Sequence, residues 1–368
     1  MLKAENGPVR ILQVVTYMGR GGIETMLMNY YRHMDRSRIQ FDFLVHREFR
    51  ADYDDEIEAL GGKIYRMPKL NPFSPSYHGA LRTFFREHPY PVVHCHLNYM
   101  SGIVLREAKK AGVPVCIAHA HNTAAKKDCK YPVKKLCSRL IPQYADHLLG
   151  CGKEAGQAIF SCDEFKVLPN AINTADFTED PAVRSRLREE LGLEHKTVLI
   201  HVGRFNYQKN HKFLIEAFSH MAKQADDIVL LCVGDGELRG EITEQIEAEG
   251  LRGRVILTGV RSDVSDLLQA ADAFVFPSIH EGLPVTLIEA QAAGLPCYMS
   301  DHVTDECVVT DLVTKLPISD PEVWSAKILA DRDSWKRENQ RDKIAESGYD
   351  ITTAAARLEN FYLNGESL

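Results

Sequence analysis

The stretch AFVFPSIHEGLPVTLIEAQAAGLPCYM, Ala273 to Met299, decides the fold. It opens on a short apolar run, Ala273–Phe276, which Pro277 ends. A loop follows, and then a helical pattern from Val285 to Ala293. Pro284 stands at its entry, where the missing N–H of proline is no loss. Gly294 and Pro296 close the helix before a second apolar run, Cys297–Met299. Strand, helix and strand in this order make a βαβ unit, and both strands read as buried on two faces.

Outward from this unit the alternation continues in both directions. Strands are expected at Val198–Val202, Ile228–Val233 and Val255–Leu257, with helices at Leu214–Ala222, Glu237–Glu249 and Val264–Ala270. Toward the N-terminus the strands are Ile11–Thr16, Phe41–Val45, Lys63–Met67, Pro91–Cys95, Val113–Ala118 and His147–Gly150. The helices between them are Glu24–Met34, Asp54–Leu60, Tyr77–Glu87, Met100–Ala111, one ending near Tyr144, and Glu154–Phe160. The segment VLPNAINTADF, Val167–Phe177, lacks periodicity and reads as a linker. The alternation thus runs twice, which predicts two doubly wound, Rossmann-like α/β domains with parallel sheets, residues 1–168 and 169–348. Two such sheets expose ligand sites at their C-terminal strand edges, so the domains are expected to face each other across a cleft. The tail from Pro321 is helical, with Trp324, Trp335 and Tyr349 as packing anchors.

Composition narrows the function. Over 368 residues, 45% are apolar and 26% charged, an ordinary globular balance. The net charge of −7 offers no phosphate footprint, so nucleic acid is not an expected partner. Nine cysteines without a Cys-x-x-Cys pair fit reduced thiols in a cytoplasmic protein. The apolar run Ile11–Val15 is too short for a signal-peptide core, and no stretch is long enough to span a membrane.

Several residues carry chemistry. In the quoted stretch, Glu281 and Glu289 lie eight residues apart, and both carboxylates can face one site if Glu281 sits in the loop. The backbone around Gly282, Leu283 and Val285 opens the helix and can hold an anion. A purely structural reading makes this a capped helix with Glu289 exposed. Arg204 and Lys209 follow the first strand of the second domain and are placed to offset negative charge on a leaving group; the alternative is a pair of solvated loop cations. Gly234, Gly236 and Glu237 form a strand-to-helix turn, and Val260 with Arg261 forms another. In the first domain, Gly21 and Gly22 lie between strand and helix, where they admit a ligand or merely make a tight turn. Glu24 is placed to offset the helix dipole there. His119 and His121 end a strand on one face, and His94 and His96 end the preceding one.

EGLPVTLIE fits the Glu-x7-Glu signature of the retaining glycosyltransferases of family 4, whose fold is GT-B. HVGRFNYQKN (His201–Asn210), VGDGEL (Val233–Leu238), TGVRSDV (Thr258–Val264), VLPNAIN and GRGGIET (Gly19–Thr25) also resemble motifs of that family, in its order and over nearly the whole chain. AHAHNT and the TDLV stretch are most similar to bacterial exopolysaccharide and capsule members. The resemblance implies a hexosyltransferase-type enzyme that retains configuration and takes a nucleotide sugar, UDP-linked by default. The acceptor would be a glycan or a lipid-linked sugar, bound by the first domain. It implies that Gly21, Gly22, Gly203, Arg204, Lys209, Gly234, Val260, Arg261, Glu281, Gly282, Leu283, Val285 and Glu289 bind the donor. Glu289 would take the ribose hydroxyls and Glu281 the transferred sugar. His121, or His119 in a shifted alignment, would stand at the reacting sugar. The family pattern also implies that residues 349–368, with a helix near Ile351–Tyr362, cross back onto the first domain. No metal or other cofactor is expected.

Two rivals stand beside this reading. His94, His96, His119 and His121 could converge as zinc-like ligands of a hydrolase, although no carboxylate in either segment completes a set. A non-catalytic, nucleotide-binding subunit is the other, against which the intact Glu281, Arg204, Lys209 and Glu289 argue. Finally, KKDCKYPVKK (Lys126, Lys127, Lys130, Lys134, Lys135) is either a solvated face or a contact with anionic lipid or a pyrophosphate-linked acceptor.

Overall fold

The computed structural model describes residues 7–122, 131–366 and 368. They divide into two compact units, Met1–Ile172 with Gly348–Leu368, and Asn173–Ser347.

The first unit holds, among the described residues, seven parallel strands: β1 (Val9–Val14), β2 (Ile39–Val45), β3 (Ile64–Arg66), β4 (Val92–Cys95), β5 (Val115–Ala120), β6 (His147–Gly150) and β7 (Lys166–Val167). Their spatial order is β3-β2-β1-β4-β5-β6-β7, with Ile11 opposite both Phe41 and Val92. Strand order reverses between β1 and β4, and a doubly wound sheet offers its ligand crevice at that point. β2 is buried along its whole length, as expected of a strand covered by helices on both faces.

The C-terminal helix Ile351–Asn364 belongs to this unit. Asp350 caps it, accepting from the N–H groups of Thr352 and Thr353 at 3.1 and 3.3 Å. Gly365 ends it in the left-handed conformation, φ 70°. Ile351, Leu358, Phe361 and Tyr362 enter one apolar core with Tyr30 and Tyr31 of the helix Gly22–His33 and with Phe41 and Phe43 of β2. Burial of each such side chain contributes about 1.5–3 kcal/mol. The helix is therefore part of the core, and the tail is not an appendage.

The second unit, among the described residues, orders its six parallel strands β10-β9-β8-β11-β12-β13. They are β8 (Thr197–Val202), β9 (Ile228–Val233), β10 (Val255–Gly259), β11 (Ala273–Phe276), β12 (Cys297–Ser300) and β13 (Val313–Leu316). Here the order reverses between β8 and β11. Leu199, Leu230, Phe218 and Trp324 share the core, and the Trp324 indole N–H donates to the Pro317 carbonyl at 2.8 Å.

Three readings of the sequence are corrected. The units divide after Ile172, four residues beyond the expected boundary, because Ile172 pairs with the returning tail: its N–H donates to Tyr349 O at 2.8 Å and its carbonyl accepts from Ile351 N at 2.9 Å. The supposed linker begins with β7, which adds Lys166 and Val167 to the edge of the first sheet. The helix Pro181–Glu190 and strand β13 were not expected. That helix buries little beyond Leu187, so its apolar periodicity is faint; β13 is a half-exposed edge strand.

Candidate functional site

In the second unit the reversal point brings two loops together. The loop after β8 runs Gly203–Asn206 into a single turn, Tyr207–Lys209, held by Asn206, whose side-chain oxygen accepts from the Lys209 N–H at 3.1 Å. Asn210 follows with φ 55°, and its amide donates to the Pro277 carbonyl at 3.2 Å. Ile279 N–H donates to Gln208 O at 2.9 Å. These bonds fix the loop after β11 against the loop after β8.

Lys209 and Glu281 meet on this frame. Lys209 Nζ lies 2.7 Å from Glu281 Oε1, with the side chains only 15% and 9% exposed. Gln208 Nε2 donates to Glu281 Oε2 at 2.9 Å. The ammonium also stands 4.5 Å from the centre of the Phe276 ring, a cation–π distance. A Cβ at Gly203 would lie 2.9 Å from Lys209 Cε, so a larger residue there would displace the lysine side chain. Gly234 is required more strictly. Its φ is +135°, and a Cβ would come within 2.1 Å of Gly203 O. The glycines thus set the position of the lysine loop.

The helix Val285–Ala292 starts beside Glu281, behind Gly282 and the buried Leu283. Pro284 is its N-cap residue and makes no side-chain cap bond. First-turn N–H groups without such a cap attract negative charge. Glu289 lies on this helix, partly buried, and burial pushes its carboxyl up to about 7. Its carboxylate makes no hydrogen bond among the described residues. Ser278 and Thr286, which the sequence reading missed, have buried hydroxyl oxygens without partners among the described residues.

The remaining candidates of this unit are more exposed. Arg204 pairs with Glu237 at 3.2 Å, the two side chains 70% and 57% exposed. Arg261 forks onto Asp263 at 2.8 and 2.5 Å, and Val260 is exposed.

The first unit carries a second cluster. His94 and His96 at the end of β4, and His119 and His121 at the end of β5, are all buried. The rings of His119 and His121 lie 4.1 Å apart and those of His94 and His96 4.2 Å. Burial, followed by neighbouring histidines, holds His94, His96 and His119 well below the ordinary imidazole range. Burial alone takes His121 down to about 3. All four rings are therefore neutral. His94, His96 and His119 can offer ligand atoms within 4.8 Å of one another. Among the described residues no carboxylate joins this group, and both nitrogens of His96 have hydrogen-bond partners.

Gly21 is the N-cap residue of the helix Gly22–His33, and neither glycine has positive φ. A Cβ at Gly22 would meet nothing within 4 Å, and one at Gly21 would meet only the Glu24 carboxylate. Burial raises the Glu24 carboxyl. Of the basic stretch, Lys126, Lys127 and Lys130 lie outside the described residues. Lys134 and Lys135 lie on the helix Tyr131–Ser138, and Lys135 Nζ donates to Ser161 Oγ at 3.0 Å. No described helix is long and apolar enough to cross a membrane.

The family model described as glycosyl transferases group 1 matches residues 183–350, and the glycosyl transferase 4-like domain matches residues 21–160. The putative glycosyltransferase EpsF of Bacillus subtilis is 36% identical over 368 residues, covering 96% of each chain. The UDP-Gal:alpha-D-GlcNAc-diphosphoundecaprenol alpha-1,3-galactosyltransferase of Escherichia coli is 30% identical over 312 residues, 77% of this chain and 78% of that one. The crystal structure of Anabaena Alr3699/HepE in complex with UDP superposes with a TM-score of 0.81 at 17% identity, covering 96% of this chain and 99% of that chain. The last likeness shows a common two-domain fold.

Proposed function

The chain belongs to the group 1 glycosyl transferases, and on that premise we propose that it moves a sugar from a UDP-linked donor to a glycan or lipid-linked acceptor in surface polysaccharide synthesis. The observation that carries the donor assignment is the pairing of Lys209 with Glu281 beside a helix N-terminus without a side-chain cap. A nucleotide sugar needs cationic and dipolar partners for its diphosphate, and a carboxylate for sugar or ribose hydroxyls. UDP is favoured by the UDP complex of the fold neighbour and by the UDP-Gal donor in the name of the Escherichia coli relative. That relative's diphosphoundecaprenol substrate supports a lipid-linked acceptor, and the name of a Staphylococcus aureus relative in capsular polysaccharide biosynthesis supports the pathway class.

In this reading residues 173–347 bind the donor. Arg204, Lys209 and the N–H groups at Gly282, Leu283 and Val285 offset charge on the departing diphosphate. Gly203 and Gly234 shape the phosphate loop, and Val260 with Arg261 borders the base. Glu289 accepts from the ribose hydroxyls and Glu281 from the transferred sugar. The first unit binds the acceptor, Gly21 and Gly22 admit the donor, and His121 rather than His119 meets the reacting sugar. The basic stretch through Lys134 and Lys135 supplies peripheral contact with the inner face of the membrane.

Configuration is retained. The leaving phosphate departs from the face that the acceptor hydroxyl attacks and takes its proton. The cationic groups make a metal ion unnecessary for this step. The test is thermal stability with UDP, GDP, ADP and their sugars, with and without EDTA. A ligand at about 100 times its dissociation constant stabilises by about 2.7 kcal/mol. A shift with UDP that survives EDTA is expected. A UDP shift that disappears on chelation and returns with a divalent ion would reject the metal-free step, and no shift with any nucleotide would reject the donor site.

A further inference from the structure

The histidine cluster continues into a single chain of hydrogen bonds that ends on the C-terminal helix. His121 Nε2 lies 2.9 Å from His96 Nδ1. His96 Nε2 lies 2.9 Å from Gln13 Oε1. Gln13 Nε2 donates to the Tyr362 hydroxyl at 3.2 Å, and that hydroxyl lies 2.6 Å from His94 Nδ1. Gln13, His96 and Tyr362 are buried, at 0%, 2% and 4% exposure.

The chain has a direction. An amide oxygen can only accept, so His96 carries its proton on Nε2. A neutral imidazole has one N–H, so His96 Nδ1 is the bare nitrogen and His121 Nε2–H donates to it. At the other end the Tyr362 oxygen accepts from Gln13, and its own proton goes to His94 Nδ1. The orientation of one amide, with Gln13 Oε1 toward His96 and Nε2 toward the Tyr362 hydroxyl, is thereby transmitted through His96 to His121. His121 Nδ1 remains as a buried atom with no partner among the described residues. In this arrangement it is an acceptor, suited to a hydroxyl group.

We propose that Tyr362, Gln13 and His96 are positioning residues that hold His121 in the Nε2–H form, so that His121 Nδ1 accepts a hydrogen bond from a hydroxyl of the bound sugar. The proposal rests on the reading that places His121 at the reacting sugar. It gives the returning tail a role in the chemistry as well as in the core. Without the Tyr362 hydroxyl, the Gln13 Nε2–H group loses its acceptor, this amide orientation loses its support, and His96 and then His121 are released to the opposite tautomer.

The test is a two-bond 1H–15N correlation spectrum of the full chain labelled at histidine, with His121 assigned by its loss in His121→Gln. The expected wild-type result is a protonated Nε2 and a bare Nδ1 at His121. In Tyr362→Phe and Gln13→Leu both tautomers should be populated. Turnover, read as UDP release from UDP-galactose and UDP-glucose, should fall about 10- to 100-fold, by analogy with the loss when the outer partners of metal-binding histidines are removed, with KM much less affected. Thermal stabilisation by UDP should match the wild type, which separates this proposal from the donor-site reading. A wild-type His121 protonated on Nδ1 overturns the proposal, even if neither variant folds. So does an unchanged tautomer in both variants. Full turnover by His121→Gln overturns the acceptor role of Nδ1, while a UDP shift would leave the donor site standing.

Discussion

Glu289→Gln is expected to stabilise the free protein in a pH-dependent way while weakening nucleotide binding. Burial raises the Glu289 carboxyl from the ordinary 4.5 to about 7. A carboxyl raised in the folded state favours folding below its unfolded pKa, and that contribution disappears as pH rises through the folded value. At 1.36 kcal/mol per unit, the difference reaches about 3 kcal/mol by pH 8, as an upper bound for a partly exposed group. Glutamine keeps the shape without the charge. The variant should therefore match the wild type near pH 4 and exceed it by up to about 3 kcal/mol near pH 8. Denaturant unfolding of both proteins at the two pH values measures this directly. The same linkage makes wild-type UDP affinity fall about tenfold from pH 8 to pH 6 if only the carboxylate accepts the ribose hydroxyls. The variant should bind UDP more weakly at pH 8 and lose this dependence. An equal or lower stability of Glu289→Gln at pH 8 would refute the argument that an unpaired, desolvated carboxylate is maintained here.

Two further substitutions separate chemistry from architecture. Arg204→Ala removes an exposed ion pair with Glu237, so stability should change by less than about 1 kcal/mol. Turnover should nevertheless fall by the equivalent of about 2.7–4 kcal/mol, typical of a lost transition-state donor; steady-state kinetics with unchanged kcat would reject the role. Gly234→Ala puts a Cβ 2.1 Å from Gly203 O at a φ of +135° and should displace the lysine loop. A loss of about 1–3 kcal/mol in unfolding free energy, together with weaker UDP binding, is expected, and wild-type values in both would show that the loop tolerates the shift.

The sequence revealed the two sheets because parallel strands covered on both faces leave compact apolar runs, as in Ile228–Val233. It concealed the helix Pro181–Glu190, whose charged surface leaves Leu187 as its buried residue. At the site, residue types and spacing singled out Glu281, Lys209 and the four histidines as candidates, and the family resemblance supplied the roles expected of them. Their partners were not legible, because Gln208 and Phe276 contribute only once β8 and β11 lie side by side, and Gln13 and Tyr362 only once the tail has folded back. Ser278 and Thr286 gave no signal, since a hydroxyl in a loop is ordinary until its burial without a partner is known.

The two carboxylates of the Glu-x7-Glu pattern show why environment has to be added to spacing. Both residues sit after β11, yet Glu281 is held by the lysine and the amide of the neighbouring loop, whereas Glu289 is desolvated without a counter-charge. Different surroundings give like groups different tasks. Glu281 already balances Lys209, so under the proposed function a diphosphate arriving at that lysine must share it with the carboxylate or release Glu281 toward the sugar. Under the proposed function, the hydroxyls of the donor then supply hydrogen bonds to the carboxylate as the phosphate takes the cation. On that proposal the ion pair holds the two halves of the donor's recognition against each other until the donor separates them.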